Sequence, residues 1–175
     1  MGKLKSNKGF TLLELLIYVA ILMIVMVMLV ASLTSINRGI GQITSSSEVD
    51  SNIRFVLDKV GQDVGYASTV TVPSAAGTSS STLTIVSGSG ASVSYCLING
   101  VVYRQAGGSC TSSSEPMTST SVVVTSLNFT NIQNTNSTLG ETVVSVQMAM
   151  NVQYNSSSPD WSYSQTNQTT FQLSH

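Results

Sequence analysis

Residues 8 to 32 read KGFTLLELLIYVAILMIVMVMLVAS, and this stretch constrains the chain more than any other. From Phe10 to Ala31 it would rise about 33 Å as a helix, the hydrocarbon thickness of a bilayer. One charge, Glu14, interrupts it. The residues before it, MGKLKSNKG, carry Lys3, Lys5 and Lys8 and no acid, a flank that holds this end in the cytoplasm and sends the remainder across the membrane. A cleaved secretory signal has a shorter apolar core followed by small residues; here the run is too long and Gly9 stands before it. A carboxylate costs about 2.5 to 3.5 kcal/mol at the centre of a membrane helix and less near the interface. Glu14 therefore needs a reason, beyond the mild preference of the first helical turn for negative charge.

The run Lys8-Gly9-Phe10-Thr11-Leu12-Leu13-Glu14-Leu15-Leu16 resembles the class III signal of type IV pilins and of the pseudopilins of type II secretion and competence systems. The resemblance extends over residues 3 to 31. It implies a prepilin peptidase that cleaves between Gly9 and Phe10 and methylates the new amino group of Phe10. Glu14 then occupies the position where this family carries its assembly glutamate. Processing would create an α-amino group one helical turn from Glu14, so an ion pair could form within a chain or between neighbours in a filament. The plainer alternative, an acid snorkelling from a simple signal anchor, leaves Gly9, Phe10 and Glu14 unrelated.

Apolar residues continue at Ile36, Ile40 and Ile43 and then at Ile53, Val56, Leu57, Val60 and Val64. This spacing is close to 3.6 and predicts an amphipathic helix whose stripe lies on a sheet. Glu48, Asp50, Arg54, Asp58, Lys59 and Asp63 are expected to face water. Gly65 is a natural C-cap, and Gly39 and Gly41 mark an expected bend or joint. Leu57-Asp58-Lys59-Val60-Gly61-Gln62-Asp63-Val64 with Ala67 is similar to the helix end of J-type minor pseudopilins and minor pilins. So are Ser94-Tyr95-Cys96-Leu97-Ile98-Asn99-Gly100-Val101-Val102-Tyr103-Arg104 and Leu127-Asn128-Phe129-Thr130.

From residue 67 onward Ser, Thr, Asn and Gln dominate, as in an exported β-rich domain or a disordered stalk. Periodicity separates the two. Val144, Val146, Met148, Met150, Val152 and Tyr154 alternate with Ser145, Gln147, Ala149, Asn151 and Gln153, the pattern of a strand with one buried face. Asn99-Gly100 between β-rich runs signals a two-residue hairpin that sets Leu97 opposite Val102 and Cys96 opposite Tyr103. Strands are expected near 82–86, 92–98, 101–105, 122–130, 143–154 and 168–173, in one mostly antiparallel sheet with the helix across a face. Trp161 reads as a packing residue or an exposed contact. Cys96 and Cys110 favour a loop-closing disulfide in an exported domain, against two free thiols in a reducing compartment.

Nothing here points to catalysis. The sole histidine is the terminal His175, and past Asp63 the acids Glu115, Glu141 and Asp160 are scattered. Gly88-Ser89-Gly90 lacks the lysine and helix of a phosphate loop. No enzyme activity, cofactor or metal is expected. Charged residues make up 9% of the chain with a net charge of −1, which becomes −4 once the three leader lysines are lost. That argues against nucleic acid as a partner. The expected class is α+β, type IV pilin-like: a leader over 1–9, a transmembrane or filament-core helix over 10–34, an amphipathic helix over 35–66 and a polar β-rich head over 67–175. The expected partners are the membrane, a prepilin peptidase, other pilin or pseudopilin subunits and the inner-membrane assembly platform. The leader would be cytoplasmic and the head extracytoplasmic, before assembly into a pilus or pseudopilus. A signal-anchored monomeric binding protein outside the cytoplasm is the competing reading.

Overall fold

The computed structural model describes residues 11–138 and 140–173. Its first element is a helix, α1 (Leu12–Gly65), and the chain forms two compact units, Met1–Ile40 and Gly41–His175. In the first unit every described residue of the helix is exposed. In the second, the rest of α1 packs with nine strands: β1 (Ala67–Val72), β2 (Ser79–Ser80), β3 (Leu83–Ser87), β4 (Ser92–Ile98), β5 (Val101–Ala106), β6 (Glu115–Pro116), β7 (Val122–Thr135), β8 (Thr142–Tyr154) and β9 (Ser164–Gln172). The long helix and antiparallel sheets give the expected α+β, pilin-like fold.

The strands form two sheets where the sequence suggested one. Their orders are β1-β3-β4-β5-β6 and β2-β7-β8-β9, with every neighbouring pair antiparallel. The division falls where the chain doubles back after β5. Pro116 of β6 pairs with Tyr103, and a proline cannot donate to a further strand, so that sheet ends there. The two sheets meet through the Val124 N–H, which donates to Gly100 O at 2.8 Å. Asn99 and Gly100 both take positive φ, 51° and 78°, as a type I′ turn requires. The register follows, with Leu97 opposite Val102 and Cys96 opposite Tyr103.

The core joins one face of α1 to the inward rows of the sheets. Val49, Ile53, Val56, Val60 and Val64 are buried with Leu83, Ile85, Tyr95, Phe129, Val146, Met148, Met150 and Val152. The alternation read in β8 is thus its inside–outside pattern. The stripe on α1 begins differently from expectation, because Ile43 is 71% exposed while Gly41 and Ser45 are buried. Trp161, in a 3-10 turn (Pro159–Trp161), explains this. A Cβ on Gly41 would meet its Nε1 at 2.9 Å, so a small residue is needed there and the bulky Ile43 turns outward. Helix α1 runs on through Gly39 and Gly41, so neither interrupts it. Trp161 also lies 6.2 Å from the Tyr154 ring, centroid to centroid. Gly65 ends the helix without a positive φ, and β1 follows almost at once.

Asp63 departs most from the solvent-facing role expected of it. Its Oδ2 accepts from Arg104 Nε at 2.7 Å and from the Tyr95 hydroxyl at 2.5 Å, and its side chain is only 13% exposed. Arg104 also lies 3.8 Å from Glu115. Burial raises the Asp63 pKa, but hydrogen bonds from Arg104 and Tyr95 and the charges of Arg104 and Lys59 outweigh it and hold the carboxyl below its ordinary value. Burial and the hydrogen bond to Asp63 push the Tyr95 hydroxyl up. A second tie joins Asn52 to Ser119, whose N–H donates to Asn52 Oδ1 at 2.8 Å. Cys96 and Cys110 form the expected disulfide, with Cα atoms 6.0 Å apart.

Two predictions follow from these ties, both read by urea unfolding through the fluorescence of Trp161. Asp63→Asn should cost about 1.5 to 3 kcal/mol at neutral pH, the range for hydrogen bonds to charged groups. Because the folded carboxyl titrates below the unfolded value of about 3.9, this stabilisation is present above that pH and is lost as the pH falls through the folded pKa. The difference between wild type and variant should therefore shrink below about pH 4. Replacing both Cys96 and Cys110 by Ser should cost about 3 kcal/mol, the entropy of closing a loop of this length.

Candidate functional site

The candidate site is the start of α1. Thr11 precedes the helix, and its Oγ1 accepts from the Glu14 N–H at 3.3 Å. Threonine before the first turn with glutamate three residues on is the arrangement of a capping box; here the threonine arm is made. Thr11 was passed over in the sequence, although the Thr-x-x-Glu spacing was there to find it. Capping satisfies a backbone donor that an apolar setting would leave costly. It also fixes Glu14 in the first turn, where its carboxylate meets the positive end of the helix dipole.

Beyond Glu14 the helix is apolar on every side. Leu15, Leu16, Ile17 and Tyr18 are all half exposed or more, as are Leu12 and Leu13 just before Glu14. An 18-residue window reaches a mean hydropathy of 2.9 with none of it buried inside the chain. A helix hydrophobic all round finds its cover in lipid or in other helices. Its few hydroxyls suit that setting, since Thr34 donates back to Ala31 O at 2.9 Å within its own helix.

Of the residues marked in the sequence, Glu14 stands exposed in the first turn of α1, and Cys96 and Cys110 are joined in the β-rich unit. Gly9 and Phe10, the expected cleavage and methylation residues, lie outside the described residues, as does His175. Glu115 lies 3.8 Å from Arg104, the guanidinium that also holds Asp63.

Residues 4–30 match the prokaryotic N-terminal methylation motif, the prepilin-type signal of type IV pilins and pseudopilins. The match supports a type IV pilin-like prepilin subunit, and α1 is long and apolar enough to cross a membrane. No curated protein and no solved structure matches the chain.

Proposed function

We propose that the chain is a structural subunit, a minor pilin or pseudopilin without catalytic activity of its own, that assembles into a type IV pilus or a secretion or competence pseudopilus. One observation carries this reading: a capped apolar helix, exposed on every face and with Glu14 in its first turn, begins within the matched methylation motif. The leader is cytoplasmic and the β-rich head extracytoplasmic until prepilin peptidase cleaves after Gly9 and methylates Phe10. The assembly platform then extracts the subunit, and its apolar helix exchanges lipid for the helices of neighbouring subunits. Such contacts join different surfaces of successive copies, so they do not close and they build a filament. Dispersion and interhelical polar contacts drive packing in this setting, because lipid is as apolar as the helix itself.

Glu14 supplies selectivity. In lipid its carboxylate is costly, and a neighbour's Phe10 amino group offers it a partner at the moment of docking. Two measurements test the proposal. Mass spectrometry of the chain from cells with an active prepilin peptidase should show an N-terminus at a methylated Phe10; an N-terminus still at Met1 overturns the reading in favour of a signal-anchored monomer. Glu14→Ala and Glu14→Val should insert into the membrane like wild type yet enter filaments about tenfold less, the effect of about 1.4 kcal/mol of lost pairing. Wild-type incorporation of both variants would remove the role given to Glu14.

A further inference from the structure

An exposed sheet edge is a row of unpaired N–H and C=O groups, and folded chains usually blunt it with brevity, bulges, proline or charge. Three of the edge strands here are blunted. β2 and β6 are two residues long, and β6 ends in Pro116. β1 pairs with β3 through two register shifts and leads into Pro73. β9 is different. It has nine residues, SQTNQTTFQ, with no charge and no proline, and it keeps unbroken register with β8 from Ser164 opposite Gln153 to Gln172 opposite Ser145.

The ladder shows which groups point outward. Tyr154 N–H donates to Tyr163 O at 2.8 Å and Leu173 N–H to Val144 O at 3.1 Å, so the odd-numbered residues of this stretch bond inward to β8. In an antiparallel ladder the alternate residues then turn their N–H and C=O to the open side. These are Ser164, Thr166, Gln168, Thr170 and Gln172, whose side chains are also exposed.

We propose that β9 is a homotypic pairing edge, adding antiparallel to β9 of a second copy of this chain about a two-fold axis at Gln168. Among the described edge strands, only another β9 matches it in length and regularity, so within a population of this chain it is its own best partner. The register is self-consistent. Gln168 meets Gln168 of the second copy, Thr166 meets Thr170, Ser164 meets Gln172, and all of these are outward-bonding residues. Thr–Thr and Gln–Gln pairs across strands are favourable, and with no charge in the strand no like charges meet. The contact is isologous and closed. It joins subunits in pairs, or one filament to another, and is separate from the helix contacts that would extend a filament.

Cross-linking in the full-length chain tests the register, since Cys96 and Cys110 are already bonded to each other and an added cysteine is the free thiol. At the two-fold position the paired Cα atoms would lie about 5.5 Å apart, within the span of a disulfide. Two copies of residue 164 would lie about 27 Å apart along the strands. Under mild oxidation in detergent, Gln168→Cys should give several-fold more disulfide-linked dimer than Ser164→Cys. Adding Thr170→Pro, which removes an outward donor but no bond to β8, should lower that yield several-fold. Equal yields from the two cysteine positions, no dimer from Gln168→Cys, or cross-linking of Gln168→Cys to a different membrane protein would each overturn the proposal. Failure of leader cleavage would leave this result unchanged, so the two proposals fail separately.

Discussion

The β-rich unit depends on one burial: the face of α1 that carries Val49, Ile53, Val56, Val60 and Val64, sharing a core with the inward row Val146, Met148, Met150 and Val152 of β8. A helix offers such a face only at a spacing near 3.6 and a strand only at a spacing of two, so both sequences are fixed by the contact they share. Small residues set how close the helix can come. A Cβ on Gly41 would strike Trp161 and one on Gly61 would strike Phe171. Close approach along this seam lets valine, a short side chain, fill the space without voids. The hydrogen bonds from Arg104 and Tyr95 to Asp63, and between Asn52 and Ser119, then hold the helix against sliding along its own axis.

The same helix meets opposite demands in the two units. From Gly41 onward one face is buried and the others are mostly polar, with Ile43 and Phe55 as exposed exceptions, so its place is settled by its own chain. Before Gly41 no face is buried, and its surroundings must come from outside. A protein built this way can be stable as a folded head while its other half remains committed to whichever apolar solvent is on hand. Transfer between lipid and packed helices needs no refolding of the helix, since every backbone group within it is already bonded to its own turn.

Much of this was legible in the sequence where side-chain period alone decides structure. The apolar run and the alternation of β8 belong to that class; the Asn99-Gly100 turn with its register was legible from turn chemistry, and the Cys96–Cys110 pair from the composition of the domain. What was missed depended on partners distant in sequence. β9 was expected to begin near 168 and begins at Ser164, because SQTNQTT shows no apolar alternation and becomes a strand by pairing with β8. β1, β2 and β6 are too short or too bulged to leave a pattern. Asp63 reads as a surface acid until β4 and β5 bring Tyr95 and Arg104 to it, and Ile43 reads as core until Trp161 claims the space beside Gly41. Of the candidate site, Glu14 stands out as a charge in an apolar run, whereas Thr11 shows only in the Thr-x-x-Glu spacing, because its role is to the backbone.

Past residue 67 the chain has one permanently charged base, Arg104, the terminal His175 and three acids. Arg104 is turned to Asp63 and Glu115 and so is consumed within the fold. Past residue 67 the surface shown to water is then rich in hydroxyl and amide, with Glu115, Glu141 and Asp160 as its exposed charges. Screening by salt acts on charges and leaves such dipoles nearly untouched. Contacts made by the stretches that carry only hydroxyl and amide should therefore be much the same in dilute and in concentrated electrolyte.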